Sequence, residues 1–287
     1  VCLMPTSETG GPRVPDVGSD PREATSDLEP PAGKTWFRDL DEAVIEADRC
    51  VQCGTCVAAC PSDSIGIADS DSRPTLVKMC TGCSRCWDTC PRAGLRYERL
   101  PGIVAEDGVE RSGELGQVRN ALAARAADPA DGRQHGGVVT ALLGALLADP
   151  DGIDGAIVAE EGTDGTARPT LVTTPAQARA TAGSLFTQPL SLAALEEVVA
   201  DPELPTDPSL ALVGTPCVIE GVAALEYSPY RDPDFDEERP LDAIELTIGL
   251  MCTQAFDRDR LNRVLDARWG TSLVDVDSMN VVGDGVR

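Results

Sequence analysis

Lysine is almost missing from this chain: Lys34 and Lys78 are the only two in 287 residues. Aromatic residues make up 3% of it, and His135 is the single histidine. No apolar run approaches the roughly 20 residues that a bilayer span needs. The longest, Val138–Ala148, is far shorter. The opening Val1-Cys2-Leu3-Met4-Pro5 has neither the basic stretch nor the apolar core of a secretory leader, so a cytoplasmic address is expected. Basic residues number 24 against 48 acidic ones, for a net charge of -24. Nucleic acid and anionic lipid are therefore excluded as partners, since both are repelled at long range. Arginine in place of lysine, with acids in excess, is the composition expected of a halophile, whose salt-rich cytoplasm screens a dense acidic surface.

What the chain does have is cysteine, eleven in all. In a chain without a leader they point to metal or redox chemistry rather than to a disulfide framework. Eight of them form one internal repeat. Cys50-Val-Gln-Cys53-Gly-Thr-Cys56-Val-Ala-Ala-Cys60-Pro61 is followed by Cys80-Thr-Gly-Cys83-Ser-Arg-Cys86-Trp-Asp-Thr-Cys90-Pro91, and both halves read CxxCxxCxxxCP. In such a repeat three close thiolates wrap one [4Fe-4S] cube, while the fourth, before the proline, reaches the cube held by the other half. The expected ligand sets are thus Cys50, Cys53, Cys56 and Cys90 for one cluster, and Cys80, Cys83, Cys86 and Cys60 for the other. Zinc is the rival metal, but its structural sites take two ligand pairs separated by a longer loop. Gly54 and Gly82 are expected to let the backbone approach the inorganic sulfurs, and Val51, Val57, Ile65, Ile67 and Val77 to form a dry wall around the pair.

Around this module the chain divides as follows. Residues 1–33, rich in Pro, Gly, Ser, Thr and acids, read as a disordered acidic tail carrying Cys2. Residues 34–100 form an α+β ferredoxin-like module, entered through a helical pattern from Trp36 to Arg49. Residues 101–114 are a linker. Residues 115–287 alternate helix and strand signals: helices over 115–127, 137–148, 175–182, 190–199 and 216–225, and strands over 155–159, 210–213 and 243–250. That alternation predicts an α/β domain with helices on both faces of a sheet.

Within the α/β segment, Gln134-His135-Gly136-Gly137-Val138-Val139-Thr140 places two glycines at a helix start. Unpaired N–H groups there can hold a phosphate or a flavin edge, although a glycine pair also serves in a plain tight turn. His135 reads as structural more readily than catalytic. Cys217, in Val213-Gly214-Thr215-Pro216-Cys217, and Cys252, in Gly249-Leu250-Met251-Cys252, follow strands at the carboxyl ends where α/β folds gather ligands. They can equally be small buried hydrophobes.

These runs, with Lys34-Thr35-Trp36 and Gly183-Ser184-Leu185-Phe186, resemble the family formed by the beta subunits of the coenzyme F420 hydrogenases and dehydrogenases, over residues 34–287. Its members include F(420)H(2) dehydrogenase subunits, formate dehydrogenase beta subunits and 7-hydroxymethyl chlorophyll a reductase. The resemblance implies an FAD-binding α/β domain. It also implies an iron-sulfur flavoprotein oxidoreductase that moves electrons between a hydride carrier, coenzyme F420 as substrate, and the clusters, with a redox protein or subunit as partner. By the same resemblance Gln134, Gly136, Gly137, Val138, Thr140, Gly183, Ser184 and Thr215 are flavin contacts, and Cys217 and Cys252 are ligands of a further cluster. No side chain is assigned a catalytic acid or base role, since hydride transfer needs none. Family members usually supply another CxxC beyond the point where this chain stops, Arg287, so the domain reads as an incomplete copy, in which Cys217 and Cys252 alone do not complete a third cluster. The competing functions are a reductase of another conjugated substrate and a non-catalytic electron-relay subunit of a larger redox complex.

Overall fold

The computed structural model describes residues 32–67, 73–94, 120–133, 135–226, 240–252 and 254–276, together with residues 28, 111–112, 116–118, 279, 281–282 and 285–286. Almost all of the expected tail and of the linker, with Cys2 and Gln134, lie outside the described residues.

The cysteine module is built on its own repeat. Each CxxCxxC loop runs into a four-residue helix, Thr55–Ala58 in the first half and Arg85–Asp88 in the second. Between the halves, Ile65–Ile67 pairs antiparallel with Pro74–Leu76. The predicted entry helix is present as Phe37–Leu40, continued by a wider π turn over Asp41–Ile45. Phe37, Leu40, Val44 and Ile45 enter one core with Ile65, Trp87 and the thiols of Cys56 and Cys86.

Two backbone features recur in the halves. Gln52 and Gly82 occupy the same place in the repeat, both with positive φ of 52° and 65°, and Gly54 and Ser84 share the next such place at 86° and 69°. Gly54 and Gly82 are therefore not equivalents, as their spacing to the nearest cysteine suggests. Each half bends twice through the left-handed region and has glycine at one of the two bends.

The second unit is a four-stranded sheet in the order Ala167–Val172, Gly155–Glu161, Leu210–Gly214, Ile244–Gly249. The last three strands are parallel, and the first is an antiparallel edge paired with its chain neighbour. Alternation along each strand sorts the two faces. Ala156, Val158 and Ala211 pack with Leu143 of the helix Val138–Ala148 and Ala178 of the helix Pro175–Ala180. Ile157, Leu210 and Leu212 pack on the other face with Leu192, Leu195, Val218 and Val222. The expected α/β class is present, with a mixed rather than a parallel sheet.

The segment expected to be helical over 115–127 is not: its described residues 116–118 and 120–127 hold no helix, and Gly116–Gln117 is a short strand. Ala126 instead donates its N–H to the Gly136 carbonyl at 2.8 Å, so the chain runs extended beside the glycine pair, and the alanine-rich pattern buries almost nothing. Among the described residues no helix is long and apolar enough to cross a membrane.

The two units share a core. Cys53 and Ala59 belong to the same apolar cluster as Leu192, Leu212 and Val218. Leu192 N–H donates to the Cys53 carbonyl at 3.3 Å. On the neighbouring helix, Pro216–Glu226, position 221 is glycine where Thr55 and Leu192 press against the backbone, and a Cβ there would strike both side chains. The first repeat is thereby seated on one face of the sheet.

Candidate iron-sulfur centre and adjoining cavity

Burial and mutual proximity sort the eight thiols into two groups. Cys56 is buried, which pushes its thiol far up, and the nearby sulfurs of Cys53, Cys90, Cys50 and, least, Cys86 push it further. Burial raises Cys90 in the same way, with Cys53 and Cys50 adding to it. Cys86 is pushed up to about 12, first by burial and then by Cys83, Cys80 and Cys60. Cys53, Cys90 and Cys50 thus lie near Cys56, and Cys83, Cys80 and Cys60 near Cys86, with Cys86 itself also within reach of Cys56.

Backbone N–H groups are aimed at several of these sulfurs. Gln52 donates to Cys50 Sγ and Gly82 to Cys80 Sγ, both at 3.4 Å. Arg92 donates to Cys90 Sγ at 3.4 Å and Ser64 to Cys60 Sγ at 3.3 Å. Such donors stabilise thiolate and cluster sulfur and tune reduction potential. Among the described residues no three His, Cys, Asp or Glu side chains converge as on one bare ion. A four-iron cube asks for another arrangement, one thiolate for each iron.

The thiol shifts have a consequence for the iron-free protein. Burial pushes Cys53 up to about 11, although Thr55 Oγ1, 3.1 Å from its sulfur, opposes the shift. Folded Cys53 and Cys86 therefore keep protons that the unfolded chain gives up near pH 9. Folded chains bind more protons in that window, so their contribution to stability is full below about pH 9 and is lost as pH rises through about 11 and 12. Anaerobic urea unfolding of iron-free protein is expected to show a lower midpoint at about pH 10 than at about pH 7.5; equal midpoints would contradict the burial of these thiols.

A cavity of about 670 Å³ opens between the first repeat and the carboxyl ends of the strands. Cys50, Gln52, Arg73 and Arg92 line it from the module, and Gln188, Cys217, Cys252, Phe256 and Arg260 from the sheet domain. Cys217 lies near enough to raise Cys50 and Cys53, in both behind burial as the main cause, and it raises Cys252 likewise. Gln188 Nε2 donates to Cys217 Sγ at 3.7 Å, and the Gln188 carbonyl oxygen accepts from Thr215 Oγ1 at 3.3 Å. Across the rim, Arg260 meets Asp48 at 2.8 Å and Arg73 meets Asp48 at 3.2 Å. These pairs are worth under about 1 kcal/mol each; the Arg260–Asp48 pair ties the module to the helix Arg258–Trp269.

The residues expected to touch a flavin are placed less tightly. Gly137, at φ 69°, starts the helix, with Val138 and Thr140 in its first turn. Gly183 lies beside the Gly132 carbonyl, so the loops 132–137 and 182–184 meet. Thr215 joins Gln188 and Cys217. Of the described members of that set, none lines the cavity. His135 is exposed. Gln188, Arg73, Arg92 and Arg260 were not expected at a site, and nothing in their sequence neighbourhood marks them. The helix carrying Arg260 does have a readable start and stop: Asp257 accepts from the Arg260 N–H at 2.9 Å, and Gly270 closes it at φ 63°.

Comparisons with known proteins agree with this division. Residues 43–95 match a 4Fe-4S dicluster domain. Residues 121–196 and 207–286 match the N-terminal and C-terminal regions of coenzyme F420 hydrogenase/dehydrogenase beta subunits. An uncharacterized protein of Methanocaldococcus jannaschii is 29% identical, over 84% of this chain and 71% of its own length. The coenzyme F420-dependent sulfite reductase of the same organism is 30% identical over 83% of this chain, and an F(420)H(2) dehydrogenase subunit of Methanosarcina mazei is 26% identical over 75%. The chain spans 36% of the length of that reductase and 56% of that of the dehydrogenase subunit. With both halves of the beta-subunit region in order behind a dicluster module, the chain belongs to the family of coenzyme F420 hydrogenase/dehydrogenase beta subunits.

Proposed function

We propose that the chain is an iron-sulfur flavoprotein oxidoreductase that passes electrons between a hydride carrier, coenzyme F420, and two [4Fe-4S] clusters by way of FAD. The observation that supports this reading is the nearness of Cys53, Cys90 and Cys50 to Cys56 across the two repeats, with Cys50 lining the cavity at the strand ends. Cys50, Cys53, Cys56 and Cys90 would hold one cluster, and Cys60, Cys80, Cys83 and Cys86 the other. Their donor set fits: soft sulfur ligands, partly buried, with backbone N–H groups aimed at them. Binding iron displaces the thiol protons, and the bonds to the metal offset the cost of burying thiolate charge.

The sheet domain fits a flavin in chemistry. The eleven-residue helix behind Gly137 offers unpaired N–H donors and the positive end of its dipole to a phosphate. Gly136, Val138, Thr140, Gly183, Ser184 and Thr215, with Gln134 beside them, would complete the contacts. Bound there, FAD supplies the conversion of a two-electron hydride into single electrons. Arg73, Arg92 and Arg260 would hold an anionic carrier in the cavity, and Phe256 and Pro216 would keep water from it. Two relatives named for the cofactor, the sulfite reductase and the F(420)H(2) dehydrogenase subunit, support coenzyme F420 as that carrier. Cys217 and Cys252 would serve a further cluster only with two more thiolates from elsewhere. The working compartment on this reading is the cytoplasm, with a redox subunit as partner.

Anaerobically purified protein, assayed for iron and flavin and then mixed with reduced coenzyme F420, tests the reading. About one flavin per chain and bleaching of the cluster absorption are expected. Intact clusters without flavin or bleaching would overturn the enzymatic reading in favour of a relay subunit.

A further inference from the structure

We propose that the Thr55 hydroxyl raises the reduction potential of the first cluster, the one assigned to Cys50, Cys53, Cys56 and Cys90, and that the sheet domain holds it in place through Gly221. The proposal rests on the two-cluster reading above. Thr55 Oγ1 lies 3.1 Å from Cys53 Sγ, and both residues are buried. While Cys53 is a thiol, either atom can carry the proton between them. A thiolate bound to iron has none to give, so in the loaded protein the Thr55 O–H donates and the sulfur accepts.

The contact is fixed from the other unit. A Cβ at Gly221, on the helix Pro216–Glu226, would strike Thr55 Oγ1 and lie 3.3 Å from Thr55 Cβ. Glycine at that position leaves the space that the hydroxyl fills. Leu192, whose side chain meets the same point of the helix, donates its N–H to the Cys53 carbonyl at 3.3 Å. The sheet domain thus sets the place of the donor through Gly221 and of the acceptor's backbone through Leu192.

The second repeat is built differently. The residue before its third cysteine is Arg85 where the first has Thr55, and Cys83, the counterpart of Cys53, is half-buried. Burial opposes the negative charge that a cluster gains on reduction, and that cost falls hardest on the repeat seated against the sheet. A hydrogen bond to a ligand sulfur works the other way, because the added charge strengthens it. In dry surroundings the bond counts for more than it would in water. Thr55 therefore offsets the burial of Cys53 and keeps the cavity-side cluster able to take an electron. One electron enters from the reductant, and the proton stays on Thr55 Oγ.

Anaerobic redox titration with dithionite, followed by electron paramagnetic resonance, tests this on the full chain reconstituted with iron and sulfide, its iron counted first. Thr55→Val keeps the shape and removes the hydroxyl; Thr55→Ser keeps the hydroxyl. At a fixed potential Thr55→Val is expected to lower the reduced-to-oxidised ratio of one cluster about tenfold, a midpoint shift of about 59 mV for one electron, and to leave the other cluster unchanged. Thr55→Ser is expected to stay close to wild type. Gly221→Ala, which displaces the hydroxyl from the other side, is expected to move the same cluster in the same direction. Unchanged midpoints in Thr55→Val with iron intact would overturn the tuning role, as would equal shifts of both clusters or a shift in Thr55→Ser as large as in Thr55→Val. Iron lost from Thr55→Val alone would assign the hydroxyl to assembly of the cluster and overturn it as well. Failure of the wild-type chain to take up iron, seen before titration, would overturn the two-cluster reading itself.

Discussion

Replacing Cys90 with alanine is expected to cost the protein about four of about eight irons, and replacing Cys53 in the same chain to cost no more. The two cysteines stand in different repeats, yet Cys90 is raised, after burial, by the sulfurs of Cys53 and Cys50. Once one thiolate of a cube is missing, removing a second from the same cube takes away nothing further. Cys86→Ala combined with Cys90→Ala should behave in the opposite way. Those residues share a repeat and a four-residue helix boundary, but Cys86 is raised by Cys83, Cys80 and Cys60. That double variant is expected to lose both clusters and bind almost no iron. Iron and sulfide counts on the three variants after identical reconstitution decide it. If each repeat holds its own cube instead, the two double variants exchange outcomes, with Cys53→Ala/Cys90→Ala losing everything.

The second large effect is expected at Gly54. Its φ of 86° is left-handed, and a Cβ there would lie 3.0 Å from the Leu190 carbonyl oxygen and strike the Ala193 backbone nitrogen. Left-handed backbone costs a non-glycine residue about 1–2 kcal/mol, and forcing atoms into a packed interface adds about 1–3 kcal/mol. Backbone of the 190–193 turn cannot swing aside as a side chain can. Gly54→Ala is therefore expected to destabilise by about 2–5 kcal/mol and to loosen the first repeat from the sheet. Gly82→Ala is the control. It has the same strain at φ 65°, but its new methyl would meet the half-exposed ring of Trp36, which has room to move. Only the backbone cost of about 1–2 kcal/mol is expected. Urea unfolding of both variants, with hydrogen exchange at the Leu192 amide as a local reporter, separates them; equal losses would contradict the seating of the first repeat on the sheet.

The parts of this structure that could be read in advance are those where chemistry forces a spacing. Four cysteines in eleven residues, twice, admit few folds, and the match of residues 43–95 to a dicluster domain follows from that spacing. The helix behind Gly137 and the strands at 155–161 and 210–214 were legible from apolar runs, and the strand at 244–249 from Ile244, Leu246 and Ile248 despite Glu245 and Thr247 between them. The edge strand Ala167–Val172 was not, because Arg168 and Pro169 are tolerated only where one side of a strand lacks a partner. The helix Arg258–Trp269 was hidden by its charge: among its residues only Leu261 and Leu265, one turn apart, are buried.

Long-range packing explains the remaining gaps. Nothing near Cys53 in the sequence announces that Leu192 will donate to its carbonyl, or that glycine is needed at 221 so that Thr55 can approach. The cavity is similar: Arg73, Gln188 and Arg260 come from three distant segments, and each is ordinary where it stands. Val77 departs from expectation for a local reason. Named for the dry wall, it lies one residue past the strand that ends at Leu76 and is exposed.

The proposed function depends on iron rather than another metal filling the two groups of thiols. Mössbauer spectroscopy of protein reconstituted with ⁵⁷Fe without oxygen, combined with metal analysis, is the direct measurement. About eight irons per chain, all in the valence-delocalised pairs of [4Fe-4S] cubes, is the result expected; stoichiometric zinc, or iron bound singly to four sulfurs, would contradict the account.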